Sequence, residues 1–200
     1  PLNGLKTGTT FSAGESYTVD KVPPSVLSIV RASTNPSGSA TVNFTVTFSE
    51  AVTGVYRFDF SVVNAGTTVT GASVTTVGGI GTTRTVTVNT GTGTGTLHLD
   101  LIDNDTIKDA SLLPLGGAGL LNGDYLLGET YSIDKTPPAV VSIVRASGNP
   151  SGAASVNFTV TFSKSVTGVD TADFSVANAG TTVIGASVTS VTGTGLTRTV

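Results

Sequence analysis

From Thr41 to Ser49 the chain alternates without a break: Val42, Phe44, Val46 and Phe48 are apolar, and Asn43, Thr45, Thr47 and Ser49 are polar. A period of two sends successive side chains to opposite faces of an extended backbone, so this segment predicts a strand with one buried and one wetted face. The alternation returns at Val86 and Val88, flanked by Thr85 and Thr87, and at Leu97, Leu99 and Leu101 around His98 and Asp100. Punctuated by Gly, Pro and Asn, such runs predict seven strands, near residues 26–33, 41–49, 58–63, 68–77, 83–89, 96–102 and 129–134. No stretch shows a 3.6-residue apolar period, and residues 107–115 have room for one short turn at most. Seven short antiparallel strands predict an all-β fold, with two sheets packed as a sandwich.

The pattern is repeated. At an offset of 114 positions, residues 25–86 and 139–200 agree at 46 of 62 places without a gap, far beyond what two unrelated strand-rich segments share. Gly14-Glu15-Ser16-Tyr17-Thr18-Val19-Asp20-Lys21 likewise matches Gly128-Glu129-Thr130-Tyr131-Ser132-Ile133-Asp134-Lys135. The expected organisation is the C-terminal end of one unit over residues 1–21, a complete unit over 22–135, and the N-terminal part of a further unit over 136–200, cut from a longer array. The junctions read Asp20-Lys21-Val22-Pro23-Pro24 and Asp134-Lys135-Thr136-Pro137-Pro138. Paired prolines restrict φ and bias the preceding residue toward extended geometry, so each junction is expected to be a short, semi-rigid linker.

Taken together, Asp-Lys-x-Pro-Pro, the Val42–Ser49 string, Val52-Thr53-Gly54-Val55, Asp59-Phe60 and Gly95-Thr96-Leu97-His98-Leu99-Asp100-Leu101-Ile102-Asp103 resemble the bacterial Ig-like repeats of very large secreted adhesins and surface proteins. The resemblance covers the whole chain. It implies tandem Ig-like β-sandwich domains joined by Pro-Pro linkers, with a stalk or adhesive role on or outside a bacterial cell. Three places depart from the usual pattern. Tyr56 stands where Asp is common, and Asp170 restores it 114 positions on. Leu112-Leu113 replaces Gly-Asn before Pro114-Leu115, and Lys164 replaces the acidic residue represented by Glu50.

Composition narrows the partner classes. Charged residues form only 12% of the chain, the net charge is -3, and no basic patch is evident, which argues against nucleic acid and against docking on anionic lipid. With no Cys there is no disulfide framework, thiolate metal site or cysteine nucleophile. No run approaches the roughly 18 apolar residues that a membrane helix requires, so no membrane insertion is expected in these residues.

Candidate chemistry centres on Asp100, Asp103, Asp105 and Asp109, the densest acidic cluster. Calcium takes six to eight oxygens, and closely spaced Asp residues on a loop supply several, so these four are the candidate calcium ligands. The competing reading makes them turn-capping carboxylates that accept backbone N–H groups. Asp20 and Asp134 read as turn residues before Pro, with an ion shared between units as the alternative. Gly116-Gly117-Ala118-Gly119-Leu120-Leu121 fails as a calcium nonapeptide, since Leu121 occupies the ligand position, and residues 91–95 read as a hairpin loop. His98 is the only histidine, placed on the face opposite Leu97 and Leu99, and nothing arranges it with a nucleophile and a buried acid. No enzymatic activity is expected.

The expected function is a structural spacer or stalk in an extracellular or cell-surface protein, with neighbouring repeats, and identical chains in a filament, as partners. Strands such as Thr83 to Asn89, exposed at an edge of an unfinished unit, would provide the filament contact. Two alternatives stand beside it: an accessory domain of a secreted hydrolase, and a glycan- or surface-binding module using the loops near Asn35-Pro36-Ser37-Gly38 and Asn64-Ala65-Gly66-Thr67.

Overall fold

The computed structural model describes residues 14–64, 68–177 and 183–200. Backbone contacts divide the chain into two compact units, Pro1–Lys135 and Thr136–Val200. Residues 1–13 of the expected leading unit, and Ala65, Gly66 and Thr67 of the second candidate loop, lie outside the described residues.

Among the described residues of the first unit the alternating segments form seven strands: β1 (Val26–Arg31), β2 (Thr41–Phe48), β3 (Phe60–Val63), β4 (Ser73–Gly78), β5 (Thr83–Asn89), β6 (Gly95–Leu101) and β7 (Tyr131–Ile133). They make two antiparallel sheets, ordered β1-β2-β5-β4 and β3-β6-β7. The β2–β5 register runs unbroken from Thr41 opposite Asn89 to Thr47 opposite Thr83, which sets Val42 against Val88 and Phe44 against Val86. All four are buried, and one core joins them to Val46, Phe48, Leu97, Leu99, Leu101, Tyr131 and Ile133. The unit is all-β, and its two sheets sharing one apolar core are consistent with a β-sandwich.

The strand expected over 68–77 begins only at Ser73. Gly71, at φ +72°, takes the chain out of extended geometry, and upstream of it Thr70 makes a single bridge to Thr92. Tyr131 locks β7 to the other sheet. Its hydroxyl donates to the Asn43 carbonyl at 2.7 Å and accepts from the Ser33 amide at 2.6 Å, and its ring meets Phe44 edge-on at 5.0 Å. Within this unit β5 is paired on both sides, by β2 and β4, so the edge expected of such a strand in an unfinished unit is not found here.

In the second unit β8 (Val140–Arg145), β9 (Phe158–Val166) and β10 (Gly195–Thr199) form one antiparallel sheet ordered β10-β9-β8. Local details of the first unit return at the same offset. The β1–β2 register shifts between Val26 and Ser28, and the β8–β9 register between Val140 and Ser142. The peptide bonds Asn35–Pro36 and Asn149–Pro150 are both cis. Arg84 is buried and donates to the carbonyls of Gly81, Thr83 and Val52, while Arg198 donates to those of Gly195, Thr197 and Val166. Each guanidinium lies in a cage of carbonyl oxygens, and burial lowers the pKa of Arg84 below its ordinary value.

Candidate metal centre and surface cleft

The four aspartates singled out by sequence do not converge. Asp103, almost fully buried, accepts from the amides of Asp105 at 3.1 Å and Gly123 at 3.3 Å. Both oxygens of Asp105 face the Gly119 amide, at 3.3 and 3.2 Å. These two carboxylates tie the loop after β6 to the 119–123 segment, as turn-capping residues do. Asp100 sits on β6 beside His98, with Nε2 to Oδ1 at 3.4 Å. Burial raises the Asp100 carboxyl above its ordinary 3.8; His98 pulls it down and Asp124 pushes it further up.

Asp109, like Asp100 at its buried Oδ1, keeps one oxygen without a hydrogen-bond partner among the described residues. It is 2% exposed, and Oδ1 accepts from the Leu113 amide at 2.8 Å, whereas Oδ2 is buried with no hydrogen-bond partner among the described residues. An ionised oxygen so placed is costly unless something compensates it. Its neighbours are also acidic: one carboxylate oxygen from each of Asp20, Glu50 and Asp109 lies within 4.8 Å of the others. Asp20 is exposed on the lead-in to β1, and its Oδ1 accepts from the Val22 amide at 3.0 Å. Glu50 is half-buried just past β2; desolvation, then the charges of Asp109 and Asp20, raises its carboxyl above the ordinary 4.5. No Lys or Arg forms an ion pair with any of the three among the described residues. Sequence reading named Asp109 as a calcium ligand and gave Asp20 an ion as the alternative to a turn role, but grouped neither with Glu50. The acidic residue at position 50, replaced by Lys164 in the second unit, was the available signal.

A second feature is an open cleft of about 560 Å³ lined in part by Val55, Tyr56, Arg57, Phe58, Asn104 and Thr106. Phe58 is 77% exposed, and the Arg57 guanidinium lies 4.6 Å from the centre of its ring. Asp59 supports the short 3-10 turn beneath (Arg57–Asp59) by accepting from the Tyr56 amide, Asn104 Nδ2 and Thr106 Oγ1. The corresponding turn of the second unit (Thr171–Asp173) has Asp170, Thr171 and Ala172 in place of Tyr56, Arg57 and Phe58. No described helix is long and apolar enough to cross a membrane.

No family model, curated protein or solved structure matches this chain.

Proposed function

We propose that the chain is a structural spacer in an extracellular bacterial surface protein, built from repeated Ig-like sandwiches joined at Asp-Lys-x-Pro-Pro junctions. The supporting observation is recurrence. Register shift, cis bond, capped turn and arginine cage return 114 residues apart, while the side chains that differ fall on surface positions such as 56–58. A stalk needs many equivalent units and few specialised ones. Strands rise about 3.3 Å per residue, so the eight-residue β2 spans about 26 Å, and repeated units of this size add reach. Small-angle X-ray scattering tests the reading. The radius of gyration should lie well above the roughly 16 Å of a compact 200-residue globule; a value near that figure overturns it.

The aromatic cleft favours one alternative, a glycan- or surface-binding module. Tyr56 and Phe58 present rings to solvent beside Asn104 and Thr106, and only the first unit carries them. A glycan-array screen of the chain decides between the two: specific binding lost in Tyr56→Ala and Phe58→Ala favours the module, and an empty array favours the spacer.

A further inference from the structure

We propose that Asp20, Glu50 and Asp109 form a binding site for a divalent cation, with calcium the species that an all-oxygen donor set suits. The buried, unpartnered Oδ2 of Asp109 carries the inference. Leu113 satisfies the other oxygen, and among the described residues nothing protein-borne satisfies this one. A carboxylate that is 2% exposed and beside two further carboxylates is a place where positive charge is favoured, and among the described residues no lysine or arginine pairs with it. Calcium holds oxygens at about 2.3–2.6 Å, so two oxygens on one ion stand at most about 5 Å apart. The three carboxylates already meet that limit, at 4.8 Å or less. Glu50 and the exposed Asp20 leave the site open to water, which would complete the six to eight ligands that calcium takes.

The second unit differs at one of the three positions. Position 164, the counterpart of Glu50, is Lys, and its ammonium donates to the Thr136 carbonyl at 2.7 Å and to the Thr136 hydroxyl. There the chain supplies a fixed cation where the first unit presents a carboxylate.

The bound ion would tie the lead-in before Pro23 to the end of β2 and to the loop after β6. Two hydrogen bonds already run that way, from the Gly116 amide to the Pro24 carbonyl and from the Ser25 amide to Ser49 Oγ, both at 2.9 Å. Binding itself does not depend on the spacer reading, and scattering and titration can fail separately.

The test is calorimetric titration of the chelator-stripped chain with calcium chloride, paired with thermal melts in calcium and in EGTA. Saturable binding and a higher melting temperature in calcium are expected. Glu50→Gln and Asp20→Asn should each weaken the affinity at least tenfold. Glu50→Lys, which copies the second unit, should abolish binding yet melt in EGTA no lower than wild type, so loss of binding there is not loss of fold. Wild type with no saturable binding and coincident melts overturns the proposal. Binding that survives Glu50→Lys overturns it too, as does binding lost in a folded Asp103→Asn/Asp105→Asn variant, which would move the ion to the loop after β6.

Discussion

Ile29 and Ile143 occupy the same place in nearly identical sequence, yet Ile29 is 1% exposed and Ile143 56%. Phe44 and Phe158 repeat the contrast at 0% and 37%. The difference lies in what faces them. In the first unit, Leu97, Leu99, Leu101, Tyr131 and Ile133 cover the apolar side of β1 and β2, and those residues have no counterpart between 136 and 200. Strand β3 sharpens the point. Phe60-Ser61-Val62-Val63 is a strand paired with β6, whereas Phe174-Ser175-Val176-Ala177, almost the same four residues, is not a strand. Alternation makes a segment able to be a strand, and an available partner makes it one.

All four tyrosines, Tyr17, Tyr56, Tyr125 and Tyr131, lie in the first unit, so tyrosine fluorescence follows that unit alone. The largest expected contrast is between Phe44→Ala and Phe158→Ala. The first should cost about 3–5 kcal/mol in a urea titration followed by tyrosine fluorescence, the usual loss for a fully buried ring. The second should leave that transition unchanged; equal losses would mean that the two units do not unfold independently.

A smaller contrast involves Gly54 and Gly168, which share φ +74°. A Cβ at Gly54 would sit 2.1 Å from the Thr106 carbonyl oxygen, whereas one at Gly168 meets nothing within 4 Å. Gly168→Ala should therefore cost only the left-handed backbone penalty of about 1–2 kcal/mol. Gly54→Ala should cost clearly more, with the excess measuring how far the loop bearing Thr106 resists displacement. Comparable denaturation midpoint shifts would show that this loop yields freely.

The smallest effect is a pH dependence at Asp100, which also lacks a counterpart in the second unit. Burial holds its folded-state carboxyl above the ordinary 3.8, so the folded form binds the proton more tightly than the unfolded chain does. Stability from this group is therefore highest below about 3.8 and falls as pH rises through the raised value. Asp100→Asn should stabilise the first unit at pH 7, with the gain shrinking toward pH 3. A gain independent of pH would show that ionisation of Asp100 is not its source, and a loss at pH 7 that the contact with His98 outweighs desolvation.

Much of the first unit was legible residue by residue. Strict alternation located β2, β5 and β6 to within a residue or so, because in each the apolar positions of one face are buried. The strand before β5 was placed too early, since Gly71 was read as part of a run that its left-handed conformation interrupts. Among the acidic residues, density along the chain pointed to Asp103 and Asp105, which the backbone amides of the 105–123 loop occupy. The grouping of Asp20, Glu50 and Asp109 was hinted at only by the change at position 50, because it joins a lead-in, a strand end and a loop far apart in sequence.

The sequence by itself determined which segments are extended, where the chain repeats, and the local devices that return with each copy: the register shift, the capped turn and the arginine cage. These depend on neighbours within one sheet or a few residues of chain, so nearly identical sequence reproduces them in both units. Only the tertiary structure decided which apolar faces are buried, whether Phe60–Val63 and its counterpart become strands, and which carboxylates meet. Burial and charge proximity are properties of surfaces brought together from distant parts of the chain, and neither is carried by the residues of one segment alone.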